Sequence, residues 1–127
     1  MPTDTAIAEL IAQRDAFGKA VAGANVVYLM DDEVTWLQKD GSTYNIVTMV
    51  VHALNQAGRD EITRMVMRSG GQRQLLNAYA VNAAGQRIEA SSIRGRTIRY
   101  RQLDVGSTVV AQYRIDSRPE AYLIGRP

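Results

Sequence analysis

Between Thr43 and Asn55 the chain reads TYNIVTMVVHALN, and apolar residues occupy both parities of a two-residue repeat. Successive side chains of a strand point to opposite sides of its sheet, so Tyr44, Ile46, Val50 and Leu54 share one side. Val47, Met49, Val51 and Ala53 share the other. A strand apolar on both sides belongs at the centre of a sheet that is covered twice. This requirement excludes a bare hairpin or a one-layer sheet.

Other segments repeat the period. VVYLMDDEVTWLQ (Val26 to Gln38) reads as one extended strand or two, with a bend at Asp31-Asp32, and the turn KDGS follows it. NQAG is read as the next turn and DEITRMVM as a strand. After the break at Gly70-Gly71 come RQLLNAYAV, the turn NAAGQ, RIEASSI and RTIRYRQL. The last clear strand lies in LDVGSTVVAQYRID, Leu103 to Asp116, where Val109, Ala111, Tyr113 and Ile115 share one face. Gly106-Ser107 precedes that strand. A phosphate-binding loop needs glycines, a lysine and a hydroxyl leading into a helix, and no Gly-Lys-Ser or Gly-Lys-Thr occurs. The pair is therefore a corner that starts a strand.

Only the first segment has helical spacing: Ile7, Leu10, Ile11, Phe17 and Val21 mark an amphipathic stripe. Asp4 or Thr5 is a candidate cap, Asp15 and Lys19 are spaced as a supporting pair, and Gly23 is a suitable stop. Strands separated by turns and preceded by one helix predict a mainly β fold, an antiparallel β-sandwich or meander with one N-terminal amphipathic helix. The expected division is a helix over 1–23 and a β-sandwich over 24–127.

At 127 residues the chain is long enough for one self-sufficient core. Without cysteine it forms no disulfide, thiolate metal site or cysteine nucleophile. No apolar run is long enough to span a bilayer, and the first ten residues lack the features of a signal peptide. The net charge of +2 gives little long-range attraction for polyanions. Its make-up is more informative: Lys19 and Lys39 are the only lysines, and five arginines fall between Arg87 and Arg101.

Arginine presents a planar fork that matches carboxylate and phosphate. In RGRTIRYRQ, continuous strand geometry puts Arg94 and Arg96 on one face, with Arg99 and Arg101 on the other. These four are the candidate residues for binding an anion or a partner's carboxylates. Interleaved Tyr100 is a feature of single-strand nucleic-acid binders, but one tyrosine and a low net charge favour nucleic acid weakly. Charged edge strands also deter edge-to-edge pairing, which accounts for the pattern without a ligand. His52, the only histidine, has no evident nucleophile or orienting carboxylate, and a lone histidine makes no multi-histidine metal site. Asp31, Asp32 and Glu33 are consecutive, whereas a calcium loop alternates its oxygen ligands. Trp36, Tyr44, Tyr79, Tyr100 and Tyr113 are spread too evenly to predict one sugar-binding face. No catalytic residue, metal or cofactor is assigned.

The order KDGS, LNQAG, AYAVNAAGQRIE and RQLDVGSTVVAQYRI resembles the β-rich domain of unknown function that precedes transglutaminase-like domains in many bacterial, mostly exported, proteins. The matching positions are Asp40-Gly41-Ser42, Asn55 to Gly58, Tyr79 to Gly85 and Leu103 to Tyr113, within a resemblance spanning 24–116. It implies a β-sandwich and an extracytoplasmic parent protein. It also implies a non-catalytic accessory role, because the family's cysteine, histidine and aspartate lie in the following domain. The helix before Ala24 resembles helical segments preceding the domain in some relatives. Relatives continue with further strands after the tyrosine strand, whereas RPEAYLIGRP ends this sequence. A shortened sandwich would expose an edge, so self-association by strand or helix exchange is expected. The implied partner is a downstream transglutaminase-like domain.

Overall fold

The computed structural model describes residues 1–21 and 23–117. The elements are α1 (Asp4–Ala12), α2 (Arg14–Ala20), β1 (Val26–Leu37), β2 (Thr43–Ala53), α3 (Gln56–Ile62), β3 (Arg64–Val66), β4 (Gln72–Val81), β5 (Arg87–Glu89), β6 (Ser92–Arg94), β7 (Thr97–Arg99) and β8 (Thr108–Ser117). The fold is mainly β, as expected. A five-stranded sheet in the order β1-β2-β8-β4-β5 faces a three-stranded sheet in the order β3-β7-β6, and every pairing is antiparallel. Insertion of β8 between β2 and β4 rules out a simple meander and leaves a sandwich.

The doubly apolar strand β2 is covered on both sides. Its Val47, Val51 and Ala53 join Val109, Ala111, Tyr113 and Ile115 of β8 in a core closed by Ile62, Met67, Ile98, Tyr100 and Leu103. The opposite side, with Val50, Tyr79 and Val110, is covered by Ile7 and Ile11 of α1. Three layers result: helices, large sheet, small sheet. The strand beginning after Gly106-Ser107 is the central one, held by β2 on one side and β4 on the other. Ser107 is fully buried, its hydroxyl donating to Asp104 Oδ1 at 2.6 Å and accepting from the Asp104 N–H at 3.1 Å. With φ +93 at Gly106, the pair forms the expected structural corner.

Several local expectations need correction. The single N-terminal helix is two segments, divided at Gln13, with Thr3 rather than Asp4 or Thr5 as the cap of α1. The division ends the apolar stripe: Ile7 and Ile11 are buried, whereas Phe17 and Val21 are exposed. NQAG is not a turn. Asn55 caps α3 by accepting the Gly58 N–H at 2.8 Å, and only the three residues of β3 remain extended in the following segment. This helical position takes glycine because a Cβ there would lie 1.9 Å from the Asn25 carbonyl oxygen. The irregularity of β1 falls at Leu29, where an extra residue between the Tyr28 and Met30 pairings brings Leu29 and Met30 to the helix side together. The expectations for RPEAYLIGRP concern residues outside those described.

Candidate functional site

Among the described residues, two places collect groups capable of chemistry. The first is at the end of the large sheet, beneath α2. His52 of β2 is buried, and its Nδ1 lies 2.9 Å from Thr108 Oγ1 of β8. Arg14 of α2 reaches the same oxygen, donating from Nη1 at 3.0 Å. Its guanidinium also donates to the carbonyls of Val81 at 3.0 Å and Asn82 at 2.6 Å. Burial, assisted by the Arg14 charge, lowers the His52 pKa, against the smaller upward pull of Asp15. The imidazole is thus held toward its neutral form at the centre of a joint between helix and sheet.

A histidine beside a hydroxyl has the outline of a base and nucleophile. Thr108 is fully buried, however, and its oxygen already lies against Arg14 and His52. An open cleft of about 550 Å³ adjoins His52, bordered by Asp15, Lys19, Leu54, Asn55 and Val105. Among the described residues, no group of three His, Cys, Asp or Glu converges as a metal site.

The acidic run is divided between uses. Glu33 forms a two-pronged ion pair with Arg68, with one contact of 2.9 Å, and also accepts from Asn45 Nδ2 at 2.9 Å. It therefore ties β1 to the segment after β3. The aromatics do not share one platform. Trp36 and Tyr44 stack with centroids 6.1 Å apart, and the Arg114 guanidinium lies 3.9 Å from the Tyr44 centroid. Tyr79 is buried beneath Arg87 at 3.8 Å, and Tyr100 and Tyr113 belong to the sandwich core.

The second place is the small sheet. RGRTIRYRQ is not one strand: Gly95, at φ +60, and Arg96 turn it into the β6–β7 hairpin. The expected separation of Arg94 from Arg99 is therefore overturned. Ser92 pairs with Arg99 and Arg94 with Thr97, and Ile93 with Ile98. Alternation then places Arg94 and Arg99 on the same side of the sheet, opposite Ile98, which is in the core. Arg96 is in the turn and Arg101 follows Tyr100, both outside the strands.

Arg64 of β3, a residue not singled out from sequence, pairs directly with Arg99 and joins this face. All five of these arginines are exposed, and none has a salt bridge among the described residues. Tyr100 is unavailable for stacking: it is buried, and its hydroxyl donates to the Val110 carbonyl at 2.7 Å. Burial pushes its phenol far above the ordinary tyrosine range.

No helix among the described residues is long and apolar enough to cross a membrane. No family matches this sequence, and no curated protein does. A solved structure from Parabacteroides distasonis, described as a "putative protease", is similar in fold with a TM-score of 0.64 and 14% identity. The match covers 78% of this chain but 24% of that one, so this chain spans about a quarter of the neighbour's length. At that identity, the likeness is one of fold.

Proposed function

We propose that the chain is a non-catalytic β-sandwich module of a bacterial envelope protein. It positions, or presents substrate to, a transglutaminase-like catalytic domain. The observation that carries this reading is the inward use of the reactive groups: His52 and Thr108 serve the joint with Arg14. The recurrence of the fold as about a quarter of a longer chain described as a "putative protease" supports a modular role. The family resemblance over 24–116 supplies the transglutaminase-like partner and the extracytoplasmic setting.

A second reading is a stand-alone binding module for an anionic polymer or partner carboxylates. Exposed arginines without ion pairs on the small sheet favour it.

The test is removal of residues 24–117 from the parent protein, followed by assay of its catalytic domain. The module reading expects at least about a tenfold loss in kcat/KM with the catalytic domain still folded. Full activity after removal overturns it. In the intact protein, His52→Ala should spare any turnover not lost through unfolding. A folded His52→Ala protein without activity would instead identify an enzyme.

A further inference from the structure

We infer that the outward face of the small sheet, carrying Arg64, Arg94 and Arg99, is a docking surface for a carboxylate-rich protein surface. This deepens the module reading and rests on it by naming the face that meets the partner. The register gives the arrangement directly. Arg64, Arg99 and Ser92 form one row across three strands, and Val66, Thr97 and Arg94 form the next. Met65, Ile98 and Ile93 alternate to the other side.

Arg64 and Arg99 are direct cross-strand neighbours. The Tyr100 N–H donates to the Thr63 carbonyl at 2.9 Å, so the adjacent Arg64–Arg99 pair is of the non-hydrogen-bonded kind. Side chains in such pairs stand closer together. Like charges directly opposite one another oppose folding. No carboxylate among the described residues is within salt-bridge distance of either arginine or of Arg94. An incoming carboxylate layer would relieve that repulsion and engage each guanidinium fork.

The rest of the face favours protein over nucleic acid. Val66 is 60% exposed beside the arginines, and Thr97 adds a small uncharged contact. Arginine interspersed with apolar surface is characteristic of protein interfaces. The nearby aromatic that would stack a base, Tyr100, is buried with its hydroxyl engaged. A net charge of +2 supplies little of the long-range attraction on which nucleic-acid binding relies.

The test uses the intact chain with a labelled oligoglutamate peptide of about ten residues, and separately an oligothymidylate of equal charge. Oligoglutamate should bind and weaken as salt rises from about 50 to 200 mM. Combined Arg64→Gln, Arg94→Gln and Arg99→Gln should reduce its affinity about tenfold or more. Arg87→Gln should retain it, because Arg87 lies over Tyr79 and pairs with Glu89. The triple variant should melt no lower than the parent, since it removes a repulsion. The inference is overturned by absent oligoglutamate binding, by unchanged affinity in the triple variant, by tighter oligothymidylate binding or by a lower melting point in the triple variant. Those outcomes leave the module reading standing, because removal of residues 24–117 tests it independently.

Discussion

The large sheet is covered by contrasting materials on its two sides. Toward the small sheet the cover is largely apolar: Ile62, Met67, Ile98 and Leu103 close over Val51, Val109 and Ala111. Toward the helices, Ile7 and Ile11 cover only part of the surface, and polar joints continue the contact. Arg14 holds one joint through Thr108 and two carbonyls. At another, Gln112 Nε2 donates to Thr48 Oγ1 and to the Pro2 carbonyl, each at 3.1 Å. Apolar area is non-directional and does not titrate, whereas a hydrogen-bonded joint depends on charge and exact placement. The sandwich is the durable side; the helix layer is the side that answers to single substitutions and to pH.

The largest blow to this contrast is Ile98→Ala. It empties a fully buried position between the sheets and should cost about 3 kcal/mol, read from the urea midpoint. Arg14→Ala should cost about 2 kcal/mol by removing three hydrogen bonds at one joint. Hydrogen exchange should then show α1 and α2 opening while the strands around Tyr100 stay protected. Equal loss of protection in both layers would end the distinction. Tyr100→Phe should cost about 1 kcal/mol through its lost bond to Val110, with no change in helix protection.

The smallest effect is pH dependence on the helix side. His52 ordinarily titrates at 6.5, and its folded pKa is lowered, first by burial and then by Arg14. Between the two values the unfolded chain binds more protons, so stability falls as pH drops below 6.5 toward the folded pKa. It is fully present above that window. His52→Gln should flatten the decline in urea midpoints between about pH 7.5 and 5.5. Asp104 and Asp40 do not confuse this window. Hydrogen bonds from Ser107 and Ser42 hold their carboxyls below 3.8, so their contributions are lost only in stronger acid.

Much of the sandwich was legible because alternation states directly which side chains are buried. Val109, Ala111, Tyr113 and Ile115 face the core as their spacing requires. α3 was obscured by Gly58, which resembles turn punctuation until the nearby Asn25 carbonyl gives another reason for glycine. The break at Gln13 was hidden because a helical stripe continues on paper through Phe17 and Val21, although neither residue is buried. The arginine face was partly legible. Composition pointed to Arg94, Arg96, Arg99 and Arg101, but local spacing does not reveal that Arg64 lies opposite Arg99 across 35 residues of chain. The tight Gly95-Arg96 turn exchanged the faces that a continuous strand would have produced.

The central position of β8 also has consequences for folding order. In the large sheet the β1–β2 and β4–β5 pairs are joined only through residues 108–117 of β8. A nascent chain ending at Gly106 therefore cannot form a smaller version of the large sheet. Among the described strands β8 comes last in sequence, and the long-range pairings that unite the large sheet all wait on it.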